Sequence, residues 1–409
     1  DGRGSAASGS GKSKIWVQAL LLVAVVVLGC ANNISKQIAA KPLQRYTYML
    51  SLATAVCYVP LFGGFLLLLL RLGVVPRFQL RFVWGCKPGH TAAVIFLAMA
   101  ALGDALGDTI GSICTSHVAG PVHSLLANCT PMFIAVLSIC VLGRRYSLFQ
   151  ALSLLGVLLA VVVGVLPSFR GIGSTSGFWA IVLGGSCIFN AVSWVIKEVV
   201  FGRYATWLAD EGLEDGGSGL NIFVVNAHAS LIQLPLTLLL VPLNQVLGET
   251  GGEDISSYLR EAFSCVLDVP GACGPDSVRP DLAGECVLVY VVFNILWNLS
   301  VLLSVKHTGA LSTFVALKAI FPLSTLLFAY VDWPLLGPTP LSLLVWLSVA
   351  LLLPSIGLFQ WASHLQAQRA QRHASQASCC WPLGASSLGA TPLQSHVECE
   401  DQTPWLATR

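Results

Sequence analysis

Charged residues are scarce in this sequence. Lys, Arg, Asp and Glu make up only 10% of its 409 residues, whereas soluble domains contain about 25%. Because hydrophobic residues make up 55%, the chain has too few charges to cover the surface of a soluble globular protein. The net charge of +2 says little about partners, since membrane proteins depend more on where charges lie than on their sum. The composition therefore predicts a polytopic protein embedded in a lipid bilayer.

Signatures of metal and nucleotide sites are also lacking. The sequence has no HExxH and no paired CxxC motif, so it indicates no metal site. A GSGKS segment at residues 9–13 resembles the end of a phosphate-binding loop, but Ala6 stands where that loop needs a glycine and no strand precedes it. We therefore expect a protein that is not an enzyme, with no cofactor and no nucleic-acid partner. The sequence does not indicate an oligomeric state.

Apolar runs long enough to cross a hydrocarbon core of about 30 Å recur along the chain. They predict an all-α polytopic membrane protein with an even number of spans. Lys and Arg are more frequent in the loops on the side of the two tails, so both termini are predicted to be cytosolic. This assignment puts Lys197 on the cytosolic side and Lys36 on the opposite side. The ten predicted transmembrane helices cover residues 15–36, 46–70, 91–116, 118–142, 147–167, 177–201, 220–246, 285–306, 308–331 and 337–361.

Two parts of the sequence resemble each other. The segment from Gly120 to Pro131 is followed by an apolar run and a tight turn, and so is the segment from Gly309 to Pro322. These two hairpins fall at corresponding places, spans three–four and eight–nine. Because five is an odd number of spans, the second half must be inverted relative to the first. Inverted repeats place the functional site near the midplane, between the two halves.

The predicted organisation is therefore a five-plus-five inverted repeat. The first five-helix repeat covers residues 15–167, and the second covers residues 177–361. Residues 1–14 and 362–409 are polar tails, which we expect to be disordered in the cytosol. The longest loop, residues 247–284, is acidic and lies on the non-cytosolic side.

This loop contains two of three cysteines that could form a disulfide. Cys265 and Cys273 lie within it, and Cys286 lies just beyond its end. In an oxidising compartment three cysteines allow one disulfide and leave one thiol. Three free thiols are the alternative.

Two aspartates, Asp104 and Asp108, lie inside the third apolar run. Ionisable groups at membrane depth cost at least ~2.5–3.5 kcal/mol each and rarely persist without a function. On a helix, residues four apart share one face. Two carboxylates held close in low dielectric should not both ionise easily, so one is expected to hold a proton near neutral pH. This arrangement suits proton coupling or binding of a cationic substrate, and the alternative is a structural acid bonded to a neighbouring helix.

One cation, Lys318, is predicted to lie near the midplane in span nine. It could pair with an aspartate or contact a carboxylate of the substrate, and the alternative is a lysine that snorkels towards a surface. Asn128 is expected to face the same cavity from the first half. Asn33, near the end of span one, is a further candidate for contact with a solute.

Polar stripes mark two further spans. Asn226, Ser230 and Gln233 follow the spacing i, i+4, i+7 in span seven, and Asn294 and Asn298 lie four residues apart in span eight. A polar stripe at membrane depth must face protein or water. These residues are therefore candidates for solute contact, and interhelical hydrogen bonding without solute contact is the alternative.

Two histidines, His117 and His123, flank the Gly-Pro break near the non-cytosolic end of the third and fourth spans. Their ordinary pKa would let them become charged in an acidic lumen, so they are candidates for pH sensing. Satisfied interfacial histidines are the alternative.

Several local motifs, in order along the chain, resemble the chloroquine resistance transporter family and its plant-type relatives. The resemblance covers residues 15–361 and rests on Gly29-Cys30-Ala31-Asn32-Asn33 through Pro42 and Tyr46, on Leu142 to Phe149, on Ser193 to Phe201, on the stripe in span seven, and on Phe263 to Cys286 ahead of Phe293-Asn294-Ile295.

The resemblance implies the drug/metabolite transporter fold, with a central cavity lined by spans one to four and six to nine. It also implies an exporter in a vacuolar, lysosome-like or plastid membrane. Such a protein would carry amino acids, small peptides, thiols such as glutathione, or cationic drugs, and would be driven by protons through alternating access. Asp104 sits where the family carries an acidic cavity residue. Trp297 stands at a position that can be acidic in the parasite members, and the loop has three cysteines where the parasite transporter has four.

Two alternatives stay open at this point. A sugar-phosphate or nucleotide-sugar carrier of the same fold would need several cations in the cavity, and Lys318 is the only deep one predicted. A distant alternative is an intramembrane aspartyl protease, suggested by Gly103-Asp104 and Gly107-Asp108. That chemistry normally takes its two aspartates from separate helices, and here both lie on one.

Overall fold

The computed structural model describes residues 7–85, 92–169, 175–213, 219–275, 277–308, 310–337 and 341–379. These residues form fourteen α-helices, and no strand occurs in the described ranges. The helices are α1 (Ala7–Leu43), α2 (Tyr48–Arg71), α3 (Phe78–Trp84), α4 (Ala93–Ile113), α5 (Gly120–Leu126), α6 (Thr130–Leu142), α7 (Leu148–Val165), α8 (Thr175–Glu211), α9 (Ile222–Leu239), α10 (Pro242–Val246), α11 (Ile255–Val266), α12 (Ala283–Thr308), α13 (Ala310–Tyr330) and α14 (Leu343–Cys379).

Nine helical segments in the described part of the chain are long and apolar enough to cross a membrane. They coincide with the predicted spans one to eight and ten. At the place of the ninth span lies α13, whose described apolar part, Ala316–Tyr330, is shorter than the other nine segments. The prediction of an all-α polytopic membrane protein is therefore confirmed, and the count of ten spans stays a prediction.

Helices extend into both predicted tails, whose disorder stays a prediction. Helix α1 already begins at Ala7, and α14 continues to Cys379. Residues 362–379 are rich in Ala, Gln and Arg and contain no Gly or Pro, so their helix propensity is high. Helix propagation from a formed span also adds one hydrogen bond for each residue that is ordered. Residues 1–6 and 380–409 of the predicted tails lie outside the described residues.

Helix packing follows a pattern that is expected of two related halves. Helix α1 packs against α12 and α13, and α8 packs against α4 and α6. In the predicted repeat α1 corresponds to α8, α12 to α4, and α13 to α6. The contacts of α1 with α12 and α13 therefore correspond to the contacts of α8 with α4 and α6. Helices α2 and α9 pack against each other, as do α7 and α14, so these pairs map onto themselves. The pairing supports the predicted repeat.

The chain spacing of polar residues agrees with this correspondence. Helix α4 carries Asp104 and Asp108 four residues apart, and α12 carries Asn294 and Asn298 four residues apart. The two helices thus each carry a pair of polar side chains with the same spacing. Helix α5 begins at the predicted Gly120-Pro121 break. A 3₁₀ turn, Ala127–Cys129, separates α5 from α6 and interrupts the predicted fourth span, which the sequence did not indicate.

Two apolar cores enclose the polar positions of α4 from either end. The first, which we call the α3 core, includes Phe82, Leu97, Tyr204 and Val224. The second, the α11 core, includes Tyr48, Ile113, Trp179, Tyr258 and Tyr290. Along α4, Leu97 belongs to the first core and Ile113 to the second, and both aspartates lie between them.

Candidate functional site

Two glycines let α4 approach α8 closely. A Cβ atom at Gly103 would lie 2.6 Å from the carbonyl oxygen of Phe189 and 3.2 Å from the amide nitrogen of Ser193. One turn later, Gly107 faces the side chain of Asn190 in the same way. Small residues four apart are typical of helices that pack closely in membranes. The Gly-Asp repeat in α4 is therefore explained by helix packing.

This close approach brings Asp104 against a cation on α8. The Nζ atom of Lys197 lies 2.6 Å from Oδ2 of Asp104, and the two side chains are 16% and 18% exposed. Lys197 also lies over the ring of Trp194, 5.7 Å from its centroid. Lys197 therefore lies inside the helix assembly, and α8 continues beyond it to Glu211.

The second aspartate contacts α9 and α1. Gln233 donates a hydrogen bond of 3.2 Å from its Nε2 to Oδ2 of Asp108. Lys36 of α1 lies within electrostatic range of Asp108, so this lysine belongs to the interior and not to the opposite surface. Asp104 is thus bonded to one lysine, and a second lysine lies within electrostatic range of Asp108; the sequence had indicated neither. Both carboxylates remain on one helix, a geometry unlike that of an aspartyl protease.

An uncharged network joins α1, α2 and α12 beside the acids. The Nδ2 of Asn294 donates to Oδ1 of Asn32 at 3.1 Å, and the hydroxyl of Tyr58 donates to Oδ1 of Asn294. The Nδ2 of Asn298 donates to the hydroxyl of Tyr58 at 2.6 Å. Tyr58 lies within electrostatic range of both aspartates. Among the described side chains the network includes Asn32 in place of the predicted Asn33, which is half-buried.

Lys318 and Asn128 lie near each other at the α5–α6 break. The electrostatic neighbours of Lys318 are Cys187 on α8 and Cys129, which adjoins Asn128. Asn128 is buried in the 3₁₀ turn after α5, and its Nδ2 donates a hydrogen bond of 3.0 Å to the carbonyl oxygen of Ser124 in α5. Lys318 is thus within electrostatic range of the turn that contains Asn128.

One residue of the polar stripe on α9 contacts an aspartate of α4. Gln233 contacts Asp108, as described, whereas the hydroxyl of Ser230 donates to the carbonyl oxygen of Ala227 at 3.1 Å. Asn226 is half-buried. Of the three stripe residues, Gln233 is the one that the structure joins to an aspartate.

The two histidines lie in different surroundings. The Nε2 atom of His117 lies 2.8 Å from Oε1 of Glu249, and its ring stacks on Trp179 with centroids 4.2 Å apart. His123 lies within the helices, with its Nε2 3.4 Å from the hydroxyl of Thr115. His117 therefore joins the first half to the loop that precedes α11.

That loop is held down by an arginine and a tyrosine. Arg45 donates from Nε to the carbonyl oxygen of Glu249 at 3.3 Å and forms an ion pair of 2.9 Å with Glu253. Tyr258 of α11 donates to the carbonyl oxygen of Arg45 at 3.1 Å. Burial raises the pKa of the Tyr258 hydroxyl, so it stays a neutral donor. The loop thus covers one end of the helices.

The structure joins Cys265 and Cys273 in a disulfide and leaves Cys286 as a free thiol. This is the one-disulfide arrangement that three cysteines allow. In the described part of the chain, no cluster of three or more His, Cys, Asp or Glu side chains is placed to bind a metal ion.

Four residues of the site were missed by sequence reasoning: Asn32, Lys36, Tyr58 and Lys197. A signal for Lys197 did exist, because residues 202–211 contain no proline and so let the helix continue past the predicted end of span six. Tyr58 lies in an apolar run, where an aromatic residue is ordinarily a core residue. No sequence signal separated Asn32 from its neighbour.

Several known proteins have sequences similar to this chain. The chloroplastic protein CLT2 of Arabidopsis thaliana is 28% identical over 306 residues, which are 74% of this chain and 66% of that protein. Crt homolog 1 of Dictyostelium discoideum is 26% identical over 342 residues, with 76% and 66% covered. The chloroquine resistance transporter of Toxoplasma gondii is 26% identical over 328 residues, with 74% and 33% covered.

The match extends over nearly all of the helical part. The chain spans 64–66% of the length of three chloroplastic Arabidopsis relatives, somewhat less than two thirds. Residues 19–359 match the family model described as CRT-like, chloroquine-resistance transporter-like. Since that model covers most of the chain, the protein belongs to the chloroquine-resistance transporter-like family.

Proposed function

We propose that this protein is an organellar membrane transporter of small organic solutes that works by alternating access and is coupled to protons. The observation that carries the proposal is the group of ionisable side chains between the two apolar cores, where Asp104 pairs with Lys197 and Asp108 contacts Gln233. Each such group costs ~2.5–3.5 kcal/mol at membrane depth. A group of this kind is expected where a solute or a proton passes.

The position of the group between the halves supports alternating access. Asp104 and Asp108 belong to the first half, and their partners Lys197 and Gln233 belong to the second. In inverted-repeat transporters the halves rock about a site at their interface. We infer that the α3 core and the α11 core close the two ends of the path in turn.

The substrate classes follow from the family. We infer amino acids, small peptides, thiols such as glutathione, or cationic drugs, because paired acids and cations can bind ammonium and carboxylate groups together. Proton binding to Asp104 or Asp108 would change the charge of the site by one unit and so alter its affinity for such solutes.

The membrane is inferred from the relatives and from charge. The three Arabidopsis relatives carry the word chloroplastic in their names, which supports a plastid membrane, and vacuolar and lysosome-like membranes fit the same chemistry. Both termini are proposed to be cytosolic. His117 and His123 are proposed to sense the pH of the other compartment, where His117 meets Glu249.

A sugar-phosphate carrier of the same fold is the second candidate, because one structural observation favours it. The interior holds Lys36 and Lys197 in addition to Lys318, so several cations could bind a phosphate. Two of these cations, however, already lie within electrostatic range of aspartates. We therefore rank a sugar-phosphate carrier below a transporter of solutes that carry both a positive and a negative charge. Inhibition of uptake by phosphorylated sugars would distinguish the two.

The test is uptake into proteoliposomes with and without an imposed pH gradient. Glutathione, dipeptides, cationic amino acids and quinoline drugs are screened as solutes. We expect uptake of at least one class that the gradient stimulates, and we expect Asp104→Asn to abolish the stimulation. Asp281→Asn is the matched control, because Asp281 is an exposed carboxylate on the loop, paired with Arg279 at 2.8 Å. No uptake of any class above protein-free liposomes would refute the proposal.

A further inference from the structure

The ion pair between Asp104 and Lys197 does more than bury two charges, because it is a bond between the two halves. We propose that Lys197 is a positioning residue that couples protonation of Asp104 to separation of α4 from α8. The inference rests on the proposed function and assigns a role to a lysine that the sequence predicts on the cytosolic side.

The geometry makes this pair sensitive to the distance between the helices. Gly103 allows the two helices to come this close. A Cβ atom at this position would lie 2.6 Å from the carbonyl oxygen of Phe189 and 3.2 Å from the amide nitrogen of Ser193. The pair distance of 2.6 Å leaves no room for a water molecule between the charges. A movement of either helix by the width of one water therefore breaks the bond.

The charges give the contact two states. When Asp104 is ionised, the pair is neutral and holds the halves together. When a proton from the aqueous phase binds the carboxylate, the attraction is lost and Lys197 is left as an uncompensated, largely buried cation. An isolated buried charge is strongly unfavourable. Lys197 must then move towards water or towards a carboxylate of the solute, and α8 moves with it.

Other charged groups around Asp104 do not replace Lys197. Asp108 lies one turn away on α4 and is within electrostatic range of Lys36 of α1. Helix α2 contributes the hydroxyl of Tyr58, and α9 contributes the uncharged amide of Gln233. On α3, the cation Arg81 is exposed. Lys197 is therefore the cation bonded to Asp104 among the described side chains, and its removal should change the titration of that carboxyl directly.

The first measurement is an infrared pH titration of the full-length protein in lipid, which needs no solute. The carbonyl band of a protonated carboxyl is assigned to Asp104 by its loss in Asp104→Asn. We expect Lys197→Met to move the midpoint of this band upwards by about one pH unit or more, because an opposite charge nearby stabilises the ionised form by that amount. Lys197→Arg should leave the midpoint near that of the wild type.

Glu198→Gln is the matched control. It removes a charge from the next position of α8 and breaks an ion pair with Arg144, outside the polar site. We expect this variant to leave the midpoint unchanged. An unchanged midpoint in Lys197→Met would overturn the proposal. Because no transported solute enters the titration, failure to find a substrate would not affect this result, so the two proposals can fail separately.

The second measurement tests the movement. Amide hydrogen exchange of α4 and α8 is compared above and below the wild-type midpoint, and we expect faster exchange below it. The double variant Asp104→Asn with Lys197→Met removes both charges of the pair, so it leaves neither partner as a buried charge without its counter-ion. Its exchange should no longer depend on pH across that range. Exchange in the double variant that still follows pH as in the wild type would refute the coupling role.

Discussion

The α4–α8 and α1–α12 interfaces correspond when the two halves are exchanged, but their chemistry differs. The first carries a charged bond between Asp104 and Lys197. The second carries a bond between the amides of Asn294 and Asn32. Both bonds join neighbouring helices. The comparison indicates that the polar contact is repeated, whereas the ionisable pair occurs at one of these two interfaces.

The physical consequence is an asymmetry in how the two interfaces respond to pH. An amide pair does not titrate, and such a hydrogen bond contributes about 0.5–1.5 kcal/mol net at any pH. A buried ion pair depends on both partners being charged. We therefore expect the α1–α12 interface to be insensitive to pH and the α4–α8 interface to respond to it.

The largest difference between the interfaces should come from removing one partner of each. Asp104→Ala leaves Lys197 without its counter-ion and should destabilise the fold by about 3–5 kcal/mol. Asn294→Ala leaves Asn32 and Tyr58 without their acceptor or donor and should cost about 1–3 kcal/mol. Thermal unfolding in detergent, followed by intrinsic fluorescence, should therefore rank the Asp104 variant lowest.

The double variant is the control for this ranking. Asp104→Ala combined with Lys197→Met removes both charges and should recover most of the lost stability. If Asp104→Ala unfolds at the same temperature as Asn294→Ala, the ion pair adds nothing beyond an ordinary hydrogen bond. The contrast between the two interfaces would then disappear.

Steric variants of the α4–α8 contact should have the next largest effects. Gly103→Ala places a Cβ atom 2.6 Å from a backbone oxygen that cannot move alone, so α4 and α8 must separate. Overpacking of this kind costs about 1–3 kcal/mol. Gly107→Ala meets the side chain of Asn190, which can rotate away, and should cost less than half as much. Thermal unfolding of the two variants measures the difference, and equal losses would contradict the backbone contact.

A third change converts one interface into the other. Asn294→Asp puts a carboxyl on α12 beside Asn32, where no lysine is bonded to it in the structure. We expect a second pH-dependent step in the hydrogen exchange of α1 and α12, which the wild type lacks. Asn298→Asp, one turn away, is the comparison variant. If the hydrogen exchange of Asn294→Asp shows a single pH-dependent step, a carboxyl at this position does not make the α1–α12 contact depend on pH.

Sequence reasoning predicted one interface better than the other, for physical reasons. The acids of α4 are rare enough at membrane depth to stand out, and their spacing of four residues places them on one face. The choice between Asn32 and Asn33 depended on helix phase, because neighbouring positions point about 100° apart. Polar residues that contact another helix are set by tertiary packing, which the sequence of one span does not contain.

Lysine positions were predicted least well. A lysine beside a glutamate, as in Lys197-Glu198, has the appearance of a helix end at the membrane surface, and only the length of α8 shows otherwise. Lys36 was misplaced for the same reason, since α1 continues to Leu43. Span boundaries are the least reliable part of a sequence-based prediction. An error of a few residues there moves a cation from the site to the surface.

The smallest expected effect concerns a carboxylate outside the membrane. Asp254 begins α11, and hydrogen bonds from the side chain and backbone of Ser256 and from the backbone of Ser257 lower its pKa. Because the pKa of Asp254 is lower in the folded state, its ionised form stabilises the fold at pH values above the unfolded-state pKa of about 3.9. This stabilisation is lost as the pH falls through the folded-state pKa. Between pH 5 and 7 the exchange protection of α11 should therefore stay constant.

This helix is a reference for the comparison of the two interfaces. Asp254→Ala should weaken protection of α11 equally at both pH values, whereas Asp254→Asn keeps an acceptor for the cap and should preserve most of it. If wild-type α11 stays constant while α4 and α8 loosen on acidification, the response belongs to the Asp104–Lys197 contact. If α11 loosens as well, the pH signal enters through the loop, where His117 meets Glu249, and the asymmetry between the halves is not its source.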